Sequence, residues 1–128
     1  MTVLDASAVL ALIFEEPGQE RVLDAVLAGA EMTTANFAEV ATRYVLRGVS
    51  AADLSELRNG LAVTLVAIDE DLAVRAALMA RTAKSAGLSL GDRLYLALAQ
   101  RSGQVVLTAD RAWEGIAAAV GVAVEVIR

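Results

Sequence analysis

The sequence predicts an α/β fold, three layers deep (α/β/α), around a five-stranded parallel sheet. Three observations predict it. Short apolar runs alternate with segments of helical period along the whole chain, which is the pattern of β-α-β units and not of hairpins. The candidate strand at 61–68 is apolar almost throughout, as a strand covered by helices on both faces should be. The 128 residues are 57% hydrophobic with a mean hydropathy of +0.57, enough material for one core, so a single domain over 1–128 is expected.

Residues 2–4 read as a short buried strand that stops at Asp5, and 6–14 as a helix capped by Asp5 or Ser7. Pro17 and Gly18 break the pattern. A second amphipathic helix over 19–28 carries Val22, Leu23, Val26 and Leu27 on one face and ends at Gly29. Residues 31–34 form a second strand, and Asn36 is placed to cap a helix with Phe37, Val40, Ala41, Tyr44 and Val45 at helical spacing. Ser50 and Asp53 have capping-box spacing and open another short helix, with Leu54 and Leu57 apolar and Gly60 at its end. The run at 61–68 (LAVTLVAI) is a third, almost wholly apolar strand. Asp69 opens a long Ala-rich helix to Ser85, Ser89 and Asp92 make a second capping box leading into 94–101, and 105–108 is the fourth strand. A helix over 110–119 and a fifth strand over 122–127 complete the chain.

If strands one to three lie side by side and the fourth returns next to the first, the order is 3-2-1-4-5. The order then reverses between strands one and four, and ligands favour such a switch point at the carboxyl ends of strands. Asp5 and Asp110 would flank that crevice, and Glu39 and Asp92, each near the start of a helix, could point into it.

Composition narrows the chemistry. There is no His and no Cys, which excludes thiolate catalysis, Cys/His zinc sites, Ser-His-Asp triads and imidazole acid/base work. What remains is carboxylates, hydroxyls, guanidiniums, the lone Lys84, or a hard oxygen-preferring ion such as Mg²⁺ or Mn²⁺, on which Asp5, Glu39, Asp92 and Asp110 would converge. The net charge of −5 counts against bulk attraction to nucleic acid. Arg43, one helical turn from Glu39, and Arg93 and Arg111, each beside an acid, could nevertheless hold phosphates around an acidic centre. The longest nearly apolar stretch, 3–14, contains Asp5 and falls short of the about 20 residues a membrane span requires, so a cytoplasmic protein is expected.

Each acid also has a purely structural role open to it. Asp5 and Asp110 have the position of N-caps, and Glu39 and Asp92 that of the third residue of capping boxes begun by Asn36 and Ser89. Asp69 and Asp71 follow strand three as closely, but strand three would lie at an edge, far from the crevice.

Four stretches, VLDAS at 3–7, NFAEV at 36–40, LSLGDRLYLALA at 88–99 and LTADRAW at 107–113, resemble in order and spacing the four motifs of the PIN domain, closest to VapC-type toxins. The resemblance implies a Mg²⁺- or Mn²⁺-dependent ribonuclease whose acidic quartet is Asp5, Glu39, Asp92 and Asp110, with Ser7 and Thr108 as supporting hydroxyls. It also implies an RNA substrate, a VapB-like antitoxin partner and a homodimer. Two positions depart from the family pattern: Arg93 stands where a small residue is usual, and Ala97 supplies no extra acid. A phosphoaspartyl receiver or dehalogenase-like phosphatase is disfavoured, because Ser7 stands where the second Asp of the dehalogenase motif belongs and Lys84 falls in the helix expected over 69–85 and not after the last strand. A non-enzymatic interaction module is the other alternative, with the stripes of Val22, Leu23, Val26, Leu54 and Leu57 as docking surface. Trp113 is expected to be a packing residue.

Overall fold

The computed structural model describes residues 1–83 and 87–128. Strands β1 (Thr2–Leu4), β2 (Ala30–Thr33), β3 (Thr64–Val66), β4 (Val105–Thr108) and β5 (Val124–Val126) pair in parallel in the order 3-2-1-4-5 expected from the sequence. In the central pairings Thr2 stands opposite Ala30 and Val105, and Leu4 opposite Leu107. Between the strands run α1 (Ala6–Ile13), α2 (Gln19–Ala28), α3 (Thr34–Val45), α4 (Ala51–Gly60), α5 (Glu70–Leu78), α6 (Ala80–Ala83), α7 (Leu90–Ser102), a 3-10 turn (Arg111–Trp113) and α8 (Glu114–Ala119).

The period of two along a strand sends neighbouring side chains to opposite faces, and the two central strands show it directly. Val3 and Val106 join one core with Leu72 and Ala76 of α5, Leu94 to Ala99 of α7, and Trp113. Leu4 and Leu107 join the other, with Val9 of α1, Val22 and Ala25 of α2, Met32 and Val40. Each fully buried Val or Leu contributes about 1.5–3 kcal/mol, so both helical layers are held to the sheet by the strands that carry Asp5 and Thr108.

Several elements differ from the sequence reading, each for a local reason. Helix α3 is capped by Thr33, whose hydroxyl accepts from the Asn36 amide at 3.0 Å, so β2 passes into α3 without a loop and Asn36 lies inside the helix. The apolar run at 61–68 pairs over only three residues: β3 is an edge strand with Thr64 exposed and Leu65 and Val66 half-buried. The remaining apolarity of that run comes from Leu61, Val63 and Ile68, which pack on the cores from the flanking loops. The expected long helix from Asp69 breaks at Met79 into α5 and α6; its expected end at Ser85, with Lys84, lies outside the described residues. The helix expected at 110–119 begins as a 3-10 turn, and β5 keeps three residues of the expected 122–127. Both capping boxes, at Ser50 and at Ser89, are formed.

The C-terminal end is clasped by the α1–α2 connection and the first turn of α2. Arg21 holds Glu125 with two hydrogen bonds of 2.6 and 3.1 Å, Arg128 donates to the Pro17 carbonyl at 3.2 Å, and Gly18 packs flat against Ile127.

Candidate active site

Asp5 ends β1 and caps α1, because the first amides of a helix lack intrahelical partners and a carboxylate at this position satisfies one of them. Its Oδ1 accepts from the Ala8 amide at 2.8 Å and from Ser7 Oγ at 2.7 Å, and its Oδ2 accepts from Thr108 Oγ1 at 2.6 Å. The direction of these bonds is fixed by proton count. Ser7 Oγ accepts from the Ala109 amide at 2.9 Å and Thr108 Oγ1 from the Asp110 amide at 3.0 Å, leaving each hydroxyl its single proton for Asp5. The 3.3 Å approach of Ser7 to Thr108 is therefore contact and not a third hydrogen bond. Through two hydroxyls, the end of β4 is tied to the acid at the end of β1.

The same relay seats Asp110, whose carboxylate then caps the 3-10 turn by accepting from the Ala112 amide at 2.9 Å. Asp92, third residue of α7, closes its capping box on the Ser89 amide at 2.9 Å. Glu39 has no such duty. With Thr33 as the cap, it sits beyond the first turn of α3, and among the described residues nothing hydrogen-bonds it. A cavity of about 550 Å³ brings the four together: its walls include Asp5, Ser7, Leu10, Glu39, Thr42, Arg43, Asp92, Asp110 and Trp113. Three of the four acids thus fill their structural cap roles and face the crevice as well.

The electrostatics record the crowding. Burial pushes the Asp5 carboxyl above its ordinary range, opposed by the three hydrogen bonds it accepts and reinforced by Asp92. Partial burial raises Glu39 too, with Asp92 and then Asp5 adding repulsion. The donor set is oxygen only, which suits a hard divalent ion and no soft one. Among the described residues, however, no three acids stand close enough together to form a ready-made ligand group.

The candidate cations separate. Arg43 lines the cavity from α3. Arg93 donates to the Ala76 carbonyl at 3.0 Å and Arg111 to the Arg128 carbonyl at 3.2 Å, and neither is part of the cavity wall. Sequence reasoning passed over Leu10 and Thr42, although each lies three residues beyond a predicted site residue, Ser7 and Glu39, and so on the same helical face. It also read Asn36 as a cap. Asn36 is buried, accepts from Thr33 Oγ1 at 2.6 Å and donates from Nδ2 to the Gly91 carbonyl at 3.1 Å, joining α3 to the first turn of α7.

A profile of the PIN domain matches residues 2–119. The chain belongs to the PIN domain family. No curated protein matches it significantly. Among solved structures, this PIN domain is similar to a toxin–antitoxin complex from Klebsiella pneumoniae, with a TM-score of 0.78 and 18% identity over 100% of this chain and 98% of that one. It is also similar to DNA-bound VapBC from Salmonella typhimurium, with a TM-score of 0.74 and 15% identity over 100% of both chains. FitAcB from Neisseria gonorrhoeae matches with a TM-score of 0.72 and 22% identity over 99% of this chain and 98% of that one. At these identities the likeness bears on the fold, which is that of the PIN domain.

Proposed function

We propose that this PIN domain is a metal-dependent endoribonuclease that cleaves RNA phosphodiester bonds, and that it is the toxin of a toxin–antitoxin pair. The observation that carries the reading is the arrival of Asp5, Glu39, Asp92 and Asp110, from separate elements, at one cavity that also holds an arginine. Asp5, Asp92 and Asp110 would hold a Mg²⁺ or Mn²⁺ ion, which when bound supplies Lewis acidity toward a phosphate. Glu39, free of any capping duty, orients the attacking water as a hydrogen-bond acceptor. Ser7 and Thr108 keep Asp5 in place, so its charge need not reorganise as substrate enters. Arg43 neutralises substrate phosphate; Arg93 and Arg111 would do so only by leaving the carbonyls they now hold.

The toxin half of the reading rests on family membership and on fold likeness to the Klebsiella and Salmonella complexes. A VapB-like antitoxin is the partner it implies, with a homodimer as the free form and the cytoplasm as the compartment. Leu23 and Leu27 on α2 are exposed and offer apolar surface to an amphipathic segment, whereas Val22 of the same stripe is core. Among the described residues no helix is long and apolar enough to cross a membrane. RNA cleavage in Mg²⁺ by the wild type and by Asp5→Asn tests the enzyme: we expect cleavage to fall by at least about a hundredfold in the variant, and equal rates would reject the assignment.

The lack of a ready-made ligand group among the described residues favours a second reading, a catalytically weak interaction module. Calorimetric titration with Mn²⁺ separates the two, since such a module needs no ion.

A further inference from the structure

Gly91 has no backbone reason to be glycine. It is the second residue of α7 and is not among the positive-φ positions, so any L residue fits its conformation. Glycine inside a helix costs roughly 0.5–1 kcal/mol relative to alanine. What distinguishes Gly91 is its surroundings. A Cβ placed there would collide with Glu39 Oε1, lie 3.1 Å from Glu39 Cδ and 3.8 Å from Asn36 Nδ2. The other glycines inside helices, Gly60 and Gly115, have nothing within 4 Å of such an atom. Asn36 holds this approach in register by its 3.1 Å hydrogen bond to the Gly91 carbonyl.

We infer that Gly91 is a positioning residue for Glu39: the space left by its missing side chain is the seat of the Glu39 carboxyl group, beside Asp92 and over the first turn of α7. The amides of that turn favour a carboxylate. The functional half of this inference rests on the nuclease reading; the structural half does not. An alanine at position 91 meets only the far end of a flexible side chain, so Glu39 moves and the helices stay. Gly91→Ala therefore displaces an acid of the site while keeping or raising stability, the reverse of what a glycine needed for folding would show.

Two measurements test it. In a crystal structure of ion-free Gly91→Ala we expect the Glu39 carboxyl group off α7 with the α3 and α7 backbones in place, and a melting temperature equal to or above that of the wild type. An unmoved Glu39, a shifted α7 or a melting temperature several degrees lower would overturn the inference. In Mn²⁺ titrations we expect Gly91→Ala to bind about tenfold more weakly than the wild type, and Gly91→Ala/Glu39→Ala to match Glu39→Ala. Equal affinity of wild type and Gly91→Ala, or a loss that persists without Glu39, overturns it as well. A wild type that binds no Mn²⁺ at all would instead remove the nuclease reading, and the crystal structure then decides the seat by itself.

Discussion

Asp5 keeps a carboxylate at a place only 5% exposed, where burial opposes its charge and three donors support it. Because the folded protein holds the Asp5 and Glu39 protons more tightly than the unfolded chain does, the folded state binds more protons in the interval above their ordinary values of 3.8 and 4.5. Stability must then fall as pH rises through that interval. The opposite contribution, from Asp69 and Asp53, whose carboxyls are held low chiefly by accepting backbone amides, is lost only below the ordinary carboxylate range and does not overlap. In EDTA, urea midpoints should therefore decline as the pH rises above the ordinary carboxylate range, and Asp5→Asn should flatten the decline. A wild type whose midpoint rises over that span would contradict the raised values. Tyr95 offers a second test at this scale. Its hydroxyl is buried without a partner among the described residues, and burial followed by the four acids pushes its ionisation upward, so it stays a neutral phenol. An unpaired buried polar group costs about 1–3 kcal/mol, while the ring keeps its packing on Trp113 at 5.0 Å between centroids. Tyr95→Phe should leave stability unchanged or raise it by up to that amount. A loss of more than about 1 kcal/mol in denaturant unfolding would mean the hydroxyl has a partner after all.

At the scale of elements, what could be read from the sequence was whatever is written locally. The capping boxes at Ser50 and Ser89 need only a hydroxyl and an acid three residues apart, and both form. Asn36 has the composition of a cap, but Thr33, three residues earlier, caps α3, and the choice depends on where β2 stops pairing. The run at 61–68 exceeds β3 for a related reason: loop residues that pack on a core are as apolar as a strand, and only sheet position tells them apart. That the four acids line one cavity was legible only in part: strand ends and helix starts at a switch point suggest a crevice, but position did not separate them from Asp69 and Asp71, and the resemblance of four stretches to the PIN motifs did. The meeting of Glu39 with Gly91 was not legible, since it depends on how closely α3 approaches α7. The same kind of tertiary approach explains Gly18, at φ +94° with Ile127 O only 2.7 Å from where a Cβ would stand. Gly18→Ala combines left-handed strain with a backbone clash and should cost about 1–3 kcal/mol by urea unfolding. A neutral result would mean that the clasp on the C-terminal end gives way freely.

For the molecule as a whole, the cavity concentrates negative charge in a chain that already carries a net −5, and the ion proposed for it acts on the entire folding equilibrium. An ion that binds the folded chain and not the unfolded one stabilises it by mass action, by about 2.7 kcal/mol at a hundred times its dissociation constant. Mn²⁺ or Mg²⁺ should therefore raise the melting temperature in a saturable way, by several degrees for a chain of this size. Sodium chloride at equal ionic strength only screens exposed pairs such as Arg75 with Asp71, which contribute little, and should not reproduce the rise. In Asp5→Asn the cavity loses one of its charges at the switch point, and most of the ion-dependent rise should disappear even where the ion-free melting temperature is unchanged. Because three of the acids are engaged with backbone amides at helix starts, ion binding has to compete with capping, so affinity should be moderate. If melting temperatures respond to the divalent ion no more than to salt, Asp5, Asp92 and Asp110 do no more than cap helices and Glu39 no more than line the crevice.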